Sequence, residues 1–297
     1  MQEQIYDGTL EPIGLVLTSG IRLDKIIADG RKVDPPDSLV FVGSKAGQDY
    51  VVKMLPDSSR LEWSDHDMKK LATLIPLYSW YLDTIKGDYE DSYVMVMEML
   101  QPIQKDQVFD MLLDLIPRCF DFMAFMAHCD IKPDNVMYSA NSNRFYFIDF
   151  DSICKEPLLY GYKRVAATPL FTSQTLNGTV IASVKTDLLE LAWTAHCIYH
   201  GCSVERPIKD IWSTRAHVKA RFGALIYLIW NMDERHVRPE DLMLLTAVVE
   251  DTRAITLSTP EQESATKRIE AATTAARAQM SNPEIYNTVY KATRQKK

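Results

Sequence analysis

Apolar and polar positions alternate in short runs over the first sixty residues, and Gly, Asp or Pro bounds each run. Gly14 to Thr18, Leu23 to Ala28, Leu39 to Val42 and Tyr50 to Leu55 therefore read as strands, separated by TSG, DGRKVDPPDS and GSKAGQD. From residue 60 to 74 the interval changes, and Leu61, Met68, Leu71 and Leu74 recur at helical spacing. Strand patterning returns at Leu77 to Lys86 and Ser92 to Leu100 around GDYED, which predicts a hairpin. Residues 104 to 127 are apolar at Phe109, Leu112, Leu113, Ile116, Phe120, Met123 and Met126, which predicts a helix that Pro117 breaks or kinks. Phe145 to Ile148 is a further strand-like run, residues 205 to 250 hold more amphipathic helix, and EQESATKRIEAATTAARAQM is a helix-compatible tail that SNP ends.

Length and charge narrow the classes. A chain of 297 residues, 46% hydrophobic and 25% charged, is long enough for a two-lobed enzyme or two small domains. A net charge of -7 argues against wholesale binding to nucleic acid or an anionic membrane surface. The five cysteines, Cys119, Cys129, Cys154, Cys197 and Cys202, contain no metal-type CxxC pair, so a reducing, intracellular setting (cytoplasmic or nuclear) is expected. No secretory h-region and no apolar run long enough to span a bilayer is expected either.

The chemistry concentrates in His128 to Asp151, HCDIKPDNVMYSANSNRFYFIDFD. Asp130 precedes Lys132 by two residues, Asn135 follows three further on, and Asp149 ends the apolar run at Ile148. A carboxylate can orient or deprotonate a hydroxyl, an ammonium can neutralise a phosphoryl group in transfer, and an amide oxygen with a second carboxylate can hold Mg2+. That combination suits phosphoryl transfer.

The stretch resembles the catalytic loop and metal motif of eukaryotic-type Ser/Thr protein kinases, written HRD-x-K-P-x-N and DFG in that family and HCD-I-K-P-D-N and DFD here. The likeness is closest to the casein kinase I branch and runs from about residue 15 to 250. It implies an α+β, bilobal fold, with a β-rich N-lobe and its regulatory helix in 1–98, a helical C-lobe in 99–260 and a helical tail in 261–297. It further implies MgATP, with Mn2+ an alternative metal, and Ser or Thr hydroxyls of protein substrates as acceptors. Asp130 becomes the catalytic base, Lys132 the phosphate-neutralising lysine, and Asn135 and Asp149 the Mg2+ ligands. Lys53, in YVVKML, resembles the family's V-A-I-K lysine that pairs with the α- and β-phosphates. Its acidic partner is Asp67, with Glu62 the alternative. YVMVMEMLQP resembles the hinge strand, with Met97 as gatekeeper and Glu98 to Leu100 holding adenine by their backbone. Thr168, in TPLFTSQTLNG, aligns with the threonine that touches the catalytic acid. KTDLLELAWTAHCIYHG matches the central buried helix, whose Asp187 would bond the catalytic-loop backbone, and Arg238 matches a closing R-P motif. The tail is a possible partner contact.

Three departures from the family pattern bear on mechanism. The phosphate-cradling turn is degenerate, whether it falls at Gly30 to Ser38, with one glycine and two prolines, or at Thr18 to Leu23, where only Gly20 matches. Cys129 replaces the arginine that clamps a phosphorylated activation loop, so no such phosphorylation is expected to be required. Asp151 replaces the glycine of DFG and adds a carboxylate near the metals. Beside an active kinase stand two other readings, a pseudokinase that binds partners without turnover and a small-molecule kinase of the aminoglycoside or choline type.

Overall fold

The computed structural model describes residues 5, 8, 10–32, 38–54, 79–85, 93–123, 126–149, 154–155, 175–176, 179–180, 183–201, 222–232 and 238–257. The expected helix at 60–74 with Asp67 and Glu62, most of the segment 152–178 with Thr168, Phe150, Asp151 and the tail lie outside them. The chain divides into two compact units, residues 1–103 with 133–151 and residues 104–132 with 152–297.

The first unit is built on an antiparallel sheet. Strands β1 (Arg22–Asp29), β2 (Leu39–Lys45), β3 (Gln48–Met54), β4 (Ser79–Thr84) and β5 (Tyr93–Glu98) lie in the order β1-β2-β3-β5-β4. The β2–β3 hairpin closes through Ala46 and Gly47, both at positive φ (52° and 80°), the geometry a two-residue turn needs to match strand twist. Gly43 is obligatory for a different reason: a Cβ there would lie 2.7 Å from Ile21 Cγ2 and 3.0 Å from the Arg22 carbonyl. Period-two alternation buries Leu39 and Phe41, Tyr50, Val52 and Met54, and Val94 and Val96 in one core with Leu17, Ile21, Leu23 and Ile85. Each large apolar side chain so buried contributes about 1.5–3 kcal/mol. The same alternation sends Val51, Lys53, Met95 and Met97 to the opposite face of the sheet. A second sheet of this unit joins β6 (Gln101–Pro102), β8 (Val136–Ser139) and β9 (Arg144–Phe147) in the order β6-β8-β9.

In the second unit, a 3-10 turn at Lys105–Gln107 leads into α1 (Val108–Met123), followed by β7 (Met126–Ala127), which pairs with β10 (Cys154–Lys155). A small hairpin follows, β11 (Thr175–Leu176) with β12 (Thr179–Val180), and then α2 (Val184–His200), α3 (Gly223–Asn231) and α4 (Pro239–Leu257). Helix α2 starts at Ser183, whose hydroxyl accepts the Thr186 N–H at 3.1 Å, and ends at Gly201 in the left-handed region (φ 61°). Its residues from Val184 to Ala195 are all buried, so it is the centre of this unit. Helix α1 packs on α2 and α4, and α2 on α3. Phe109, Tyr199 and Phe222 interlock where α1, α2 and α3 meet, with ring centroids 5.6–6.0 Å apart.

Three expectations need correction. Gly14 to Thr18 forms no strand; it contributes single bridges, Val16 to Arg22 and Leu17 to Ile85, because Gly14 and Gly20 (φ 90° and 89°) fold the segment back at once. Of the break or kink expected at Pro117, the break does not occur: helix α1 continues through that residue to Met123. A mid-helix proline costs about 3 kcal/mol. Met111, Leu112, Leu115, Ile116 and Cys119 are buried on both sides of it, and their burial outweighs that cost. Residues 126 and 127 are a strand rather than the helix's last turn, since their backbone pairs with Lys155 and Cys154.

Candidate active site

Within the first unit, the β8–β9 hairpin carries two of the chemical side chains. Val136 pairs with Phe147, and the Ile148 N–H donates to the Asn135 carbonyl at 2.9 Å. Asn135 and Asp149 therefore stand at the same end of that hairpin. Asn135, in a 3-10 turn (Pro133–Asn135), is 4% exposed. Asp149 is at φ 65°, a region that Asp tolerates at modest cost and most residues avoid. Its Oδ1 lies 2.6 Å from Lys53 Nζ, an ion pair in which the lysine side chain is 9% exposed. An amide oxygen and a carboxylate at one hairpin end are the hard donors that Mg2+ takes, so the residues present fit that ion.

Met97 is buried on β5, one residue before Glu98. The Glu98 Oε1 accepts from the Ser139 hydroxyl (2.9 Å) and the Asn141 amide (2.7 Å), so the carboxylate ties the end of β5 to the β8–β9 turn. Leu100 follows, half-buried, before β6. The connection from β1 to β2 is residues 30–38, and Gly30–Lys32 forms one 3-10 turn in which the Arg31 guanidinium grips Asp29 through two bonds of 2.7 and 2.8 Å. Thr18 to Leu23 is instead the turn leading into β1, held by the buried Asp83, whose carboxylate accepts the Ser19 N–H at 3.1 and 3.2 Å.

Within the second unit lies the loop His128 to Lys132. Asp130 Oδ2 is 2.9 Å from Lys132 Nζ, with the two side chains 11% and 27% exposed. The loop backbone is held from α2. Asp187 accepts the His128 N–H at 2.7 Å with one carboxylate oxygen and the Cys129 N–H at 2.8 Å with the other. The Asp130 N–H donates to His128 Nδ1 (3.3 Å), and the Ile131 N–H to Glu190 Oε2 (2.8 Å). Cys129 is fully buried at φ 63°, a rare conformation for this residue type. On α1, burial first and then the carboxylates of Asp187 and Glu190 push the Cys119 thiol well above its ordinary pKa.

The structure thus brings Lys53 to Asp149 and Asp130 to Lys132, and stations Asn135 beside Asp149. Asp67 and Thr168 are outside the described residues. Sequence reasoning reached Asp187 and missed Glu190 and the side-chain role of Glu98. One signal was available for Glu190: a charged residue inside LLELAW, three positions after Asp187 and so on the same helix face.

No protein-family model matches the chain, and no curated protein matches it in sequence. Among solved structures it is similar to vaccinia related kinase 3, with a TM-score of 0.53 and 14% identity over 86% of this chain and 95% of that one. The fold is that of a protein kinase, in the α+β class that the sequence implied. No helix among the described residues is long and apolar enough to cross a membrane.

Proposed function

We propose that the protein is an ATP-dependent serine/threonine protein kinase. The observation that carries this reading is the ion pair between Lys53 and Asp149, residues 96 positions apart in the chain. A strand lysine buried against the acid that closes a β hairpin has no local reason to be there, and an ammonium beside a metal-binding carboxylate suits a triphosphate. Adenine would rest on the backbone of Glu98 to Leu100 behind Met97, and Lys53 would hold the α- and β-phosphates. Asn135 and Asp149 would hold Mg2+, which when bound neutralises charge on the β- and γ-phosphates. Asp130 orients the acceptor hydroxyl and takes its proton as the oxygen attacks the γ-phosphorus. The bond to the β-phosphate oxygen breaks, ADP leaves, and Lys132 stabilises the phosphoryl oxygens in passage.

The test is transfer of labelled γ-phosphate to casein, myelin basic protein and the chain itself, in Mg2+ and in Mn2+, beside Asp130→Asn. Wild type should transfer, and the folded variant should be slower by about 10²–10⁴-fold. Equal rates would remove Asp130 from its role.

A second reading, a pseudokinase, is favoured by one feature. The β1–β2 connection has a single glycine, and Pro35 and Pro36 lack the N–H groups that cradle phosphates. Folded wild type inactive in both metals would support it.

A further inference from the structure

Helix α2 presents two buried carboxylates to the catalytic loop, one turn apart. Asp187 and Glu190 are each 1% exposed, and between them they take three of the four successive N–H groups from His128 to Ile131, the remaining one going to His128 Nδ1. Asp187 holds the loop before Asp130, and Glu190 holds it immediately after. A carboxylate is an expensive way to fill that position. Leu188, Leu189, Leu191 and Ala192 around it are buried, and a leucine at 190 would pack without desolvating a charge.

We infer that Glu190 is a positioning residue, the second of two anchors that bracket Asp130 and hold its carboxylate where an acceptor hydroxyl must meet it. This rests on the kinase reading above. The physical need for a second anchor comes from Cys129. At φ 63° it is in a sparsely populated region next to Asp130, and relaxation of that residue would turn the following peptide and carry the Asp130 side chain with it. Asp187 fastens the chain to α2 at His128 and Cys129, ahead of Asp130, and leaves the side after Asp130 to a second acceptor on the same helix. The bond at Ile131 holds the loop on that side. A shift of about 1 Å at a reacting group is enough to cost about 10²-fold in rate.

The experiment compares Glu190→Ala, Glu190→Leu and Glu190→Gln with wild type in the full chain. Leucine fills the space without accepting, so it reports even where alanine fails to fold; glutamine keeps an acceptor oxygen. Two readouts are needed, steady-state phosphoryl transfer and amide hydrogen exchange over 128–131. For Glu190→Leu, kcat should fall about 10²-fold while the KM for ATP stays within about threefold, because the ATP ligands proposed above lie elsewhere in the sequence. Glutamine should restore kcat to within about tenfold of wild type. Added to Asp130→Asn, Glu190→Leu should slow transfer no further, since a misplaced base and a missing base cost the same thing. The Ile131 amide should exchange faster in Glu190→Leu with the rest of α2 unchanged.

Wild-type kcat in folded Glu190→Leu overturns the proposal, as does a loss that glutamine does not relieve. If wild type transfers no phosphate, the kinase reading fails and hydrogen exchange alone judges the anchor: unchanged exchange at Ile131 removes it, and faster exchange keeps it.

Discussion

The Lys53 ammonium lies 2.6 Å from Asp149 Oδ1, on the sheet face opposite the apolar core of its unit. Removing that cation leaves the carboxylate without its nearest positive charge and the phosphates without their proposed partner. Lys53→Met, which keeps the packing of the aliphatic stem, should weaken ATP binding about tenfold and slow phosphoryl transfer about 10²-fold or more. Calorimetric titration with ATP beside the transfer assay checks both; unchanged affinity and rate would assign Lys53 a structural role only.

Asp187 accepts two backbone N–H groups in a site closed to water. Asp187→Ala strands both donors, each at about 1–3 kcal/mol, and should lower stability by about 2–5 kcal/mol. Asp187→Asn retains one acceptor oxygen and should cost less. Urea denaturation measures the difference, and an alanine variant within about 0.5 kcal/mol of wild type would show that the loop finds other acceptors.

Cys129 is fully buried and stands where the kinase motif that the sequence resembles has an arginine. Without that cation, a phosphate on the following loop has no partner at this position. Phosphatase treatment of the purified protein, verified by intact mass, should leave the transfer rate within about twofold. A large loss would require another basic group to read such a phosphate.

The Cys119 thiol is held protonated mainly by burial and further by Asp187 and Glu190. An unfolded chain loses this proton above about pH 8.5, while the folded protein keeps it. The unfolded state then binds fewer protons, so the stabilisation present below pH 8.5 declines as pH rises, by up to about a tenfold change in folding equilibrium per pH unit. Cys119→Ala has no such thiol. Its stability deficit against wild type should be full at pH 7 and shrink between about pH 8.5 and 10, read from urea curves at each pH. A constant deficit would show that the thiol ionises as readily folded as unfolded.

Much of the architecture was legible in one dimension. Alternation marked β2, β3 and the β4–β5 hairpin, and helical spacing marked α1, because period two and period 3.6 follow from the backbone alone. Gly14 to Thr18 misled because it has strand-like composition between glycines that turn it back too soon to form a ladder. Pro117 misled because a local helix breaker was weighed without the buried side chains on either side of it. Glu190 was passed over because a glutamate in a helix is ordinarily solvated, and its partner, Ile131 N–H, is 59 residues earlier.

The sequence by itself determined the chemical inventory: the acid, lysine, amide and second acid between His128 and Asp149, their spacing, and the strand that carries Lys53. Only the tertiary structure decided the pairings: that Lys53 meets Asp149, that Glu98 binds Ser139 and Asn141, and that two acids of one helix hold the backbone on both sides of Asp130. Periodicity and residue type are properties of neighbours along the chain. Which buried donor meets which acceptor depends on packing that brings together residues 41 to 96 positions apart, and no local pattern encodes that distance.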